Sequence, residues 1–302
     1  MRFQIGEIGD KVTRRAASLD FVDAHDLEEA WAILDERAPE TTVLAGGTDV
    51  MVQYLRGEIS PSTLLHIRNL RELKGVETKE RTEVGALTTH WELMTHPHLH
   101  AEHRSLAEAA ATVGGRQTQN VGTIAGNVVN ASPAADLLPA LLVAKADVTM
   151  ESCEGKRVLG VSDFVVGRKQ TALRPNELVT RISLERPGPR TGEVYLKVGR
   201  RRAMEVAVVG LAARLSFADD GAVSDARIAV CSVAPKPFRA SEAEAALIGS
   251  RLERPAVDDA GRLLQEAARP IDDVRATATY RRRVLAPLLG EAVRISRGRA
   301  GM

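Results

Sequence analysis

The sequence predicts a globular protein of two or three packed subdomains that combine helices and strands. The chain has 302 residues, which is long for a single hydrophobic core. Near its start, an amphipathic helical segment is followed by short apolar runs that a glycine turn separates. Residues 185–193 (ERPGPRTGE) carry two prolines and two glycines, and we place a domain boundary there.

The composition shows no bias toward nucleic acid or membrane. Hydrophobic residues make up 44% and the net charge is +1, so no overall field draws the chain to anionic partners. Aromatic residues make up 3%, which leaves few stacking platforms for single-stranded nucleic acid. No apolar run approaches the ~18 residues of a membrane span. Residues 1–21, which include the pair Arg14-Arg15, lack the apolar core of a signal peptide. We therefore predict a cytoplasmic protein with no membrane span.

Cysteine usage limits the metal chemistry of this chain. Cys153 and Cys231 are its two cysteines and lie far apart, so no disulfide framework is expected. An iron–sulfur cluster usually takes four thiolates, so this chain is not expected to ligate one by itself.

The first elements predict a small α/β subdomain that ends near residue 75. Residues 26–36 have helical hydrophobic spacing, with Asp26 as the N-cap. A strand over 41–45, the turn 46–49 (GGTD) and a second apolar segment over 50–55 follow. A further short strand is expected over 64–67.

The middle of the chain predicts a strand over 83–86 and two helices that begin with capping boxes. The capping boxes are expected at 89–92 (THWE) and 105–108 (SLAE), and the second helix is expected to stop at 114–115 (GG). A long loop rich in small and polar residues is expected over 116–136, and such loops are often functional.

The apolar run 137–144 follows this loop. Beyond the boundary, 206–215 and 227–233 are expected as apolar strands, or as a strand and a helix. Helices are expected over 241–247 and 258–268.

Two glycine-containing loops are candidate ligand sites. In 44–51 (LAGGTDVM), paired glycines let backbone amides approach an anion such as a pyrophosphate, although a tight strand exit needs no ligand. The stretch 120–127 (NVGTIAGN) is similar, and Asp136 beyond it could accept hydrogen bonds from ribityl or ribose hydroxyls, or could simply begin a helix. Neither loop has P-loop or Rossmann spacing. Two such loops favour one extended ligand, such as FAD, held between two subdomains.

The two loops also resemble known flavin motifs. Residues 45–49 (AGGTD) and 117–142 (QTQNVGTIAGNVVNASPAADLLPALL) resemble the first and second motifs of the FAD-binding subunits of molybdenum hydroxylases, the family of xanthine dehydrogenase and aerobic CO dehydrogenase. The resemblance spans about residues 20–295 and includes further landmarks at 195–197 (YLK), 201–209 (RRAMEVAVV), 234–239 (APKPFR) and 279–284 (TYRRRV).

This resemblance implies an α+β fold in two regions. A two-subdomain FAD-binding region over 1–188 would combine a small α/β subdomain (about 1–75) with a mixed-sheet subdomain (76–188). A C-terminal α+β domain with an antiparallel sheet would occupy 189–302. FAD would bind to this chain, whereas molybdopterin and [2Fe-2S] clusters would belong to a large and a small partner subunit. Electrons would pass from the clusters through FAD to NAD, oxygen or another acceptor.

The resemblance also implies which residues contact FAD, and it implies no metal ligand and no catalytic residue in this chain. The two loops would hold the pyrophosphate, Asp136 would meet flavin hydroxyls, and Lys197 would lie near the isoalloxazine. A cation there would stabilise the anionic reduced ring and raise its potential, although a strand lysine is more often solvated. The expected set is Leu44, Ala45, Gly46, Gly47, Thr48, Asp49, Val50, Val113, Thr123, Ala125, Gly126, Asn127, Asp136, Val179 and Lys197.

Two positions depart from the family pattern. Ala125 stands where the family usually has the first glycine of T-x-G-G-N, and it would be strained there if the backbone needed a positive φ. Glu205 stands where relatives often have aspartate.

Other clusters favour structural roles. The histidines of HPHLHAEH could bind zinc or nickel, but a surface loop is the expected role of this stretch (His96, His98, His100 and His103). The triplets 200–202 and 281–283 (RRR) could face a phosphate or an acidic partner, but they are more often solvated.

Two alternative functions stay open at this stage. One is a self-contained flavin reductase, which would need its own substrate pocket and proton donor. The other is a module that keeps the fold without binding FAD, which the alanine at position 125 would permit.

Overall fold

The computed structural model describes residues 19–201 and 203–302. The pair Arg14-Arg15 and the third arginine of the triplet 200–202 lie outside the described residues. Among the helices of the described part, none is both long enough and apolar enough to cross a membrane.

The first subdomain is a three-stranded parallel sheet in the order β1-β3-β2. The predicted cap is confirmed, because the Asp26 side chain accepts a hydrogen bond from the Glu29 amide. The apolar segment after the glycine turn is a short helix. The elements are β1 (Asp20–Asp23), α1 (Leu27–Arg37), β2 (Thr41–Leu44), α2 (Val50–Leu55), β3 (Thr63–His66) and a 3-10 turn (Arg71–Leu73).

The second sheet has five strands in the order β4-β5-β10-β6-β7, and every described pair is antiparallel. The expectation of a mixed sheet is corrected here, because the hairpins β4-β5 and β6-β7 flank the returning strand β10. A separate ribbon pairs β8 with β9. The strands are β4 (Val76–Thr78), β5 (Thr82–Gly85), β6 (Asp147–Ser152), β7 (Gly155–Gly160), β8 (Val165–Gly167), β9 (Gln170–Thr171) and β10 (Leu178–Leu184).

Seven short helices accompany this sheet; one sequence prediction about them is confirmed and one is corrected. The capping box at Thr89 is confirmed, with reciprocal bonds between Thr89 and Glu92. The predicted loop over 116–136 contains two helices, α6 and α7, and the apolar run after it is α8. The helices are α3 (His90–Thr95), α4 (Pro97–Glu102), α5 (Arg104–Ala111), α6 (Arg116–Gln119), α7 (Ile124–Asn130), α8 (Leu137–Val143) and α9 (Val161–Phe164).

The predicted capping box at Ser105 is wrong. Helix α5 already begins at Arg104, and Ser105 lies inside its first turn. The hydroxyl of Ser105 instead donates to Glu193 Oε2 over 2.8 Å, and its amide points to the same oxygen. A buried carboxylate 88 residues further along the chain therefore replaces the local cap.

The third sheet has four antiparallel strands in the order β11-β12-β13-β14. Its outer face packs on the last three helices to form a separate core, around Leu211, Val230, Leu285 and Leu289. The elements are β11 (Thr191–Val198), β12 (Val209–Phe217), β13 (Val223–Cys231), β14 (Phe238–Arg239), α10 (Ser241–Leu247), α11 (Arg254–Ala267) and α12 (Ala278–Arg299).

The inner face of this sheet packs against the second subdomain. Side chains alternate along a strand, so every second residue points to helices α5 and α8. Strand pairing aligns these inner residues in three rows across β11, β12 and β13. The rows are Lys197–Gly210–Cys231, Tyr195–Ala212–Ala229 and Glu193–Arg214–Arg227.

The row of charged residues forms one buried ion pair within the sheet and one partly buried ion pair to the second subdomain. Arg214 Nε lies 3.3 Å from Glu193 Oε1, and both side chains are at least 96% buried. Arg227 donates to Glu185 Oε1 over 2.6 Å and to the Val143 carbonyl of α8 over 3.2 Å. These contacts fix the C-terminal sheet against the second subdomain.

The histidine-rich stretch is not the predicted surface loop. It forms helix α4, and His103 after it is completely buried. The Thr82 hydroxyl lies 2.9 Å from His103 Nε2 and 3.0 Å from His98 Nε2. Glu102 lies close enough to share a metal ion with these imidazoles, but Arg186 holds both of its oxygens at 2.8 Å. Thr82 thus contacts the Nε2 atoms of both imidazoles, and Arg186 neutralises the Glu102 carboxylate.

Replacement of Arg214 by methionine should destabilise the protein strongly. The change leaves the Glu193 carboxylate buried without its partner, which costs about 3–5 kcal/mol. Urea unfolding measures the loss. The matched control is Arg262→Met, which breaks an exposed pair on α11 and should scarcely move the urea midpoint. Equal effects of the two variants would contradict a stabilising role of the buried Glu193–Arg214 pair.

Acid should destabilise the fold through His103. Burial lowers the pKa of His103 from 6.5 to about 3. Below about pH 6.5 the unfolded chain binds a proton that the folded chain excludes, so stability falls as the pH drops toward 3, by about 1.4 kcal/mol per pH unit. The free energy of unfolding, measured with urea at pH 7, 6 and 5, should therefore fall less steeply in His103→Gln than in the wild type. The exposed control His25→Gln should keep the steep fall in the free energy of unfolding. A wild-type slope in His103→Gln would refute the role of His103 in acid destabilisation.

Candidate functional site

The two predicted loops lie in contact. A Cβ atom at Gly46 would lie 1.8 Å from the Val121 carbonyl oxygen and 3.0 Å from the Gly122 nitrogen. Only glycine permits this approach, so the packing of the loops alone explains Gly46. The fold therefore brings the first subdomain and the second loop together at one place.

The first loop presents a run of free backbone amides. The N–H groups of residues 46–50 have no hydrogen-bond acceptor among the described residues. Gly47 has a φ of +71°, which turns the chain between β2 and α2 and favours glycine. The loop includes the predicted residues Leu44, Ala45, Thr48, Asp49 and Val50. Consecutive amides at such a turn form a concave site for an anion.

Hydrogen bonds couple this first loop to helix α7. The Asn130 side chain donates to Asp49 Oδ1 over 3.0 Å and accepts from Gln53 Nε2 over 3.1 Å. Asn130 is a site residue that the sequence did not reveal, because the contact joins residues 81 positions apart. It orients the Asp49 carboxylate at the rim of the amide run.

The second loop uses most of its amides internally. Thr123 caps α7 by accepting from the Gly126 amide, and the amides of Ile124, Ala125 and Asn127 bond to backbone carbonyls. Gly126 is exposed, and the side-chain oxygen of Asn127 is buried without a hydrogen-bond partner. This loop therefore offers one open glycine surface and one unused acceptor, rather than a second run of free amides.

Ala125 causes no backbone strain. It lies in the first turn of α7, and its φ is not positive. Its Cβ is buried in the core of the second subdomain. The alanine thus needs only to be small, and the departure from the family pattern is accommodated.

Asp136 and Lys197 form a buried ion pair. Lys197 Nζ lies 2.9 Å from Asp136 Oδ2 and 3.0 Å from the Thr112 carbonyl oxygen, and both side chains are at most 10% exposed. Tyr195 donates its hydroxyl to Asp136 Oδ1 over 2.6 Å. Burial raises the pKa of Asp136, and Lys197 and Tyr195 oppose that rise. The prediction missed Tyr195, although its position two residues before Lys197 on one strand places both on the same face.

The two predicted valines border these groups. Val113 is partly buried and follows Thr112, whose carbonyl holds Lys197. Val179 is buried on β10, where the pairing with β6 is irregular. Its neighbour Thr180 accepts from the Ala86 amide, and Ala86 in turn accepts from the Ala125 amide of the second loop. Both valines thus lie one residue from groups that contact the candidate site.

The arrangement fits an extended anionic cofactor. The free amides of the first loop suit a pyrophosphate, and the second loop, which contains the exposed Gly126, contacts the first loop at Gly46. The Asp136–Lys197 pair supplies an acceptor and a cation, and Asp136 lies nine residues beyond the second loop. FAD combines these chemical requirements.

Comparison with known proteins identifies the family of this chain. Residues 16–187 match the model of the FAD-binding domain in molybdopterin dehydrogenase, and residues 194–295 match the CO dehydrogenase flavoprotein C-terminal domain. The chain therefore belongs to the family of FAD-binding subunits of molybdenum hydroxylases, which are oxidoreductases.

Individual relatives cover nearly the whole chain. The glyceraldehyde dehydrogenase medium chain of Sulfolobus acidocaldarius is 33% identical over 90% of this chain and 96% of its own length. The nicotinate dehydrogenase FAD-subunit of Eubacterium barkeri is 27% identical over 87% of this chain and 90% of its own length. A chain of the carbon monoxide dehydrogenase from Hydrogenophaga pseudoflava superposes with a TM-score of 0.89 at 28% identity, covering 93% of this chain and 98% of that chain.

Substitution of Gly126 by alanine should weaken FAD binding without weakening the fold. The new Cβ would meet only Thr123 Oγ1, at 3.0 Å, and alanine favours a helix over glycine by up to about 1 kcal/mol. It would also occupy the open surface where the pyrophosphate is predicted. Titration with FAD, followed by flavin fluorescence, measures binding, and thermal unfolding checks the fold.

The control for this variant is Gly298→Ala, which adds a Cβ to another helix where no atom lies within 4 Å. It should leave FAD affinity unchanged. Wild-type affinity in Gly126→Ala would remove Gly126 from the pyrophosphate site.

Proposed function

We propose that this chain accepts electrons from a [2Fe-2S] partner subunit and delivers them to an external acceptor such as NAD or oxygen. The observation that carries the proposal is the run of free amides at residues 46–50, in a chain that matches the family over both of its regions. When bound, FAD supplies the chemistry of taking single electrons and releasing a pair.

The residues of this chain would bind and tune the flavin. The amides of 46–50 would hold the pyrophosphate, with Gly126 leaving room beside them. Asp136 would accept from flavin hydroxyls through lone pairs that Tyr195 and Lys197 do not use. Lys197, as a buried cation, would favour the anionic reduced ring. The valines Val113 and Val179 would pack near the ring or the adenine.

The proposed assembly is a heterotrimer with a large molybdopterin subunit and a small iron–sulfur subunit. The names of relatives, such as "medium chain" and "complex subunit alpha", describe parts of larger complexes. We also propose the division of this chain into 1–188 (with subdomains 1–75 and 76–188) and 189–302, and its location in the cytoplasm.

Substrate choice is proposed to belong to the molybdenum subunit. The relatives of this chain are named for chemically different substrates, including nicotinate, glyceraldehyde and carbon monoxide. One type of flavin subunit thus serves several reactions, which supports a role in electron transfer over a role in substrate recognition. The match over the C-terminal domain also disfavours the alternative of a self-contained reductase.

The test uses the complex purified with a tag on this chain after co-expression with its partner subunits. We expect stoichiometric FAD and rapid reoxidation of dithionite-reduced iron–sulfur centres by NAD, oxygen or an artificial acceptor, followed by their absorbance. The same complex with Gly126→Ala, depleted of FAD, should reoxidise much more slowly. The Gly298→Ala complex is the control. Equally fast reoxidation without FAD, or purification of this chain without partners, would refute the proposal.

A further inference from the structure

Tyr195 completes a buried network around the Asp136–Lys197 pair. Its hydroxyl donates to Asp136 Oδ1 over 2.6 Å, while Lys197 binds the other carboxylate oxygen over 2.9 Å. Tyr195 is 4% exposed and Asp136 is 7% exposed. Each oxygen of the carboxylate therefore has its own donor, and these two contacts fix the orientation of the carboxylate.

The sheet contains a slot for the tyrosine hydroxyl. Gly210 pairs with Lys197 on one side and with Cys231 on the other. A Cβ at Gly210 would lie 2.5 Å from the Tyr195 hydroxyl and 2.6 Å from Cys231 Sγ. The missing side chain at Gly210 thus leaves the space through which Tyr195 reaches Asp136.

The network also restrains the lysine. Lys197 Nζ has two acceptors, Asp136 Oδ2 and the Thr112 carbonyl oxygen. The carbonyl is fixed by helix α5, whereas the carboxylate can rotate about its side-chain bonds. The Tyr195 hydrogen bond opposes that rotation, so the position of the ammonium group depends on a residue that need not touch the ligand.

We propose that Tyr195 is a positioning residue that acts through Asp136 to hold the Lys197 ammonium in place beside the flavin. The inference rests on the proposed function, because it takes Lys197 to lie near the isoalloxazine. Tyr195 itself carries no electron and transfers no proton in this role. Its effect is on the electrostatic field that Lys197 and Asp136 exert on the ring.

The measurement is the midpoint potential of FAD, by spectroelectrochemistry of the loaded full-length chain or, if that chain releases flavin, of the co-purified complex. Lys197→Met should lower the potential because it removes the cation. Tyr195→Phe should lower it by a smaller amount, since the Thr112 carbonyl still holds the lysine. FAD affinity should fall by no more than about tenfold, as expected for the loss of one hydrogen bond. Tyr280→Phe, at an exposed tyrosine of α12, is the matched control and should change neither quantity.

A double-variant cycle separates positioning from a general packing role. If Tyr195 acts through the carboxylate, Tyr195→Phe should have no further effect on the potential in an Asp136→Asn background. Additive shifts would overturn the inference, as would an unchanged potential in Tyr195→Phe when Lys197→Met lowers it. An unchanged potential in Lys197→Met as well would overturn the inference together with the placement of Lys197 beside the flavin. Reoxidation of the partner's iron–sulfur centres tests the proposed electron transfer separately.

Discussion

The architecture depends on charged side chains buried where the C-terminal sheet meets the FAD-binding region. Glu193 and Arg214 lie on the inner face of that sheet, and both side chains are almost fully buried. Charges in such surroundings are tolerated only when they are paired and hydrogen-bonded. Ser105 on α5 supplies the remaining donor to Glu193, and Glu185 pairs with Arg227. Separation of the two regions would break the Ser105 and Glu185 contacts together and would expose the Glu193–Arg214 pair.

The same sheet face carries both the ion pairs and the groups of the candidate site. Alternation along β11 places Glu193, Tyr195 and Lys197, at every second position of the strand, on one face. Ala212 and Ala229 lie between the charged row and the row with Lys197, and their small side chains let α8 approach closely. The register that forms the ion pairs therefore also sets the position of Lys197. A shift of one residue would turn all these side chains to the opposite face.

The sequence correctly predicted those elements that are stabilised by contacts between residues close together in the chain. The Asp26 cap and the Thr89 capping box each join residues three positions apart, so the sequence alone specifies them. Ser105 has the same pattern but a different outcome, because the distant Glu193 competes for its hydroxyl. His103 likewise looks like a surface residue until β5 brings Thr82 against it. The antiparallel pairing of the second sheet depends on the return of β10, which no local pattern specifies.

The residues of the candidate site also differ in whether local sequence patterns could identify them. The first glycine loop was identifiable because free amides at a glycine turn follow from backbone chemistry within a few residues. Lys197 could not be identified from its local pattern, since strand lysines are usually solvated. Only the resemblance to flavoproteins indicated a role for it. Its burial against Asp136 comes from β12, where Gly210 leaves space for Tyr195. A lysine that remains charged in such a place needs an anion fixed beside it. Burial of the cation therefore requires both the aspartate and the tyrosine that fixes it.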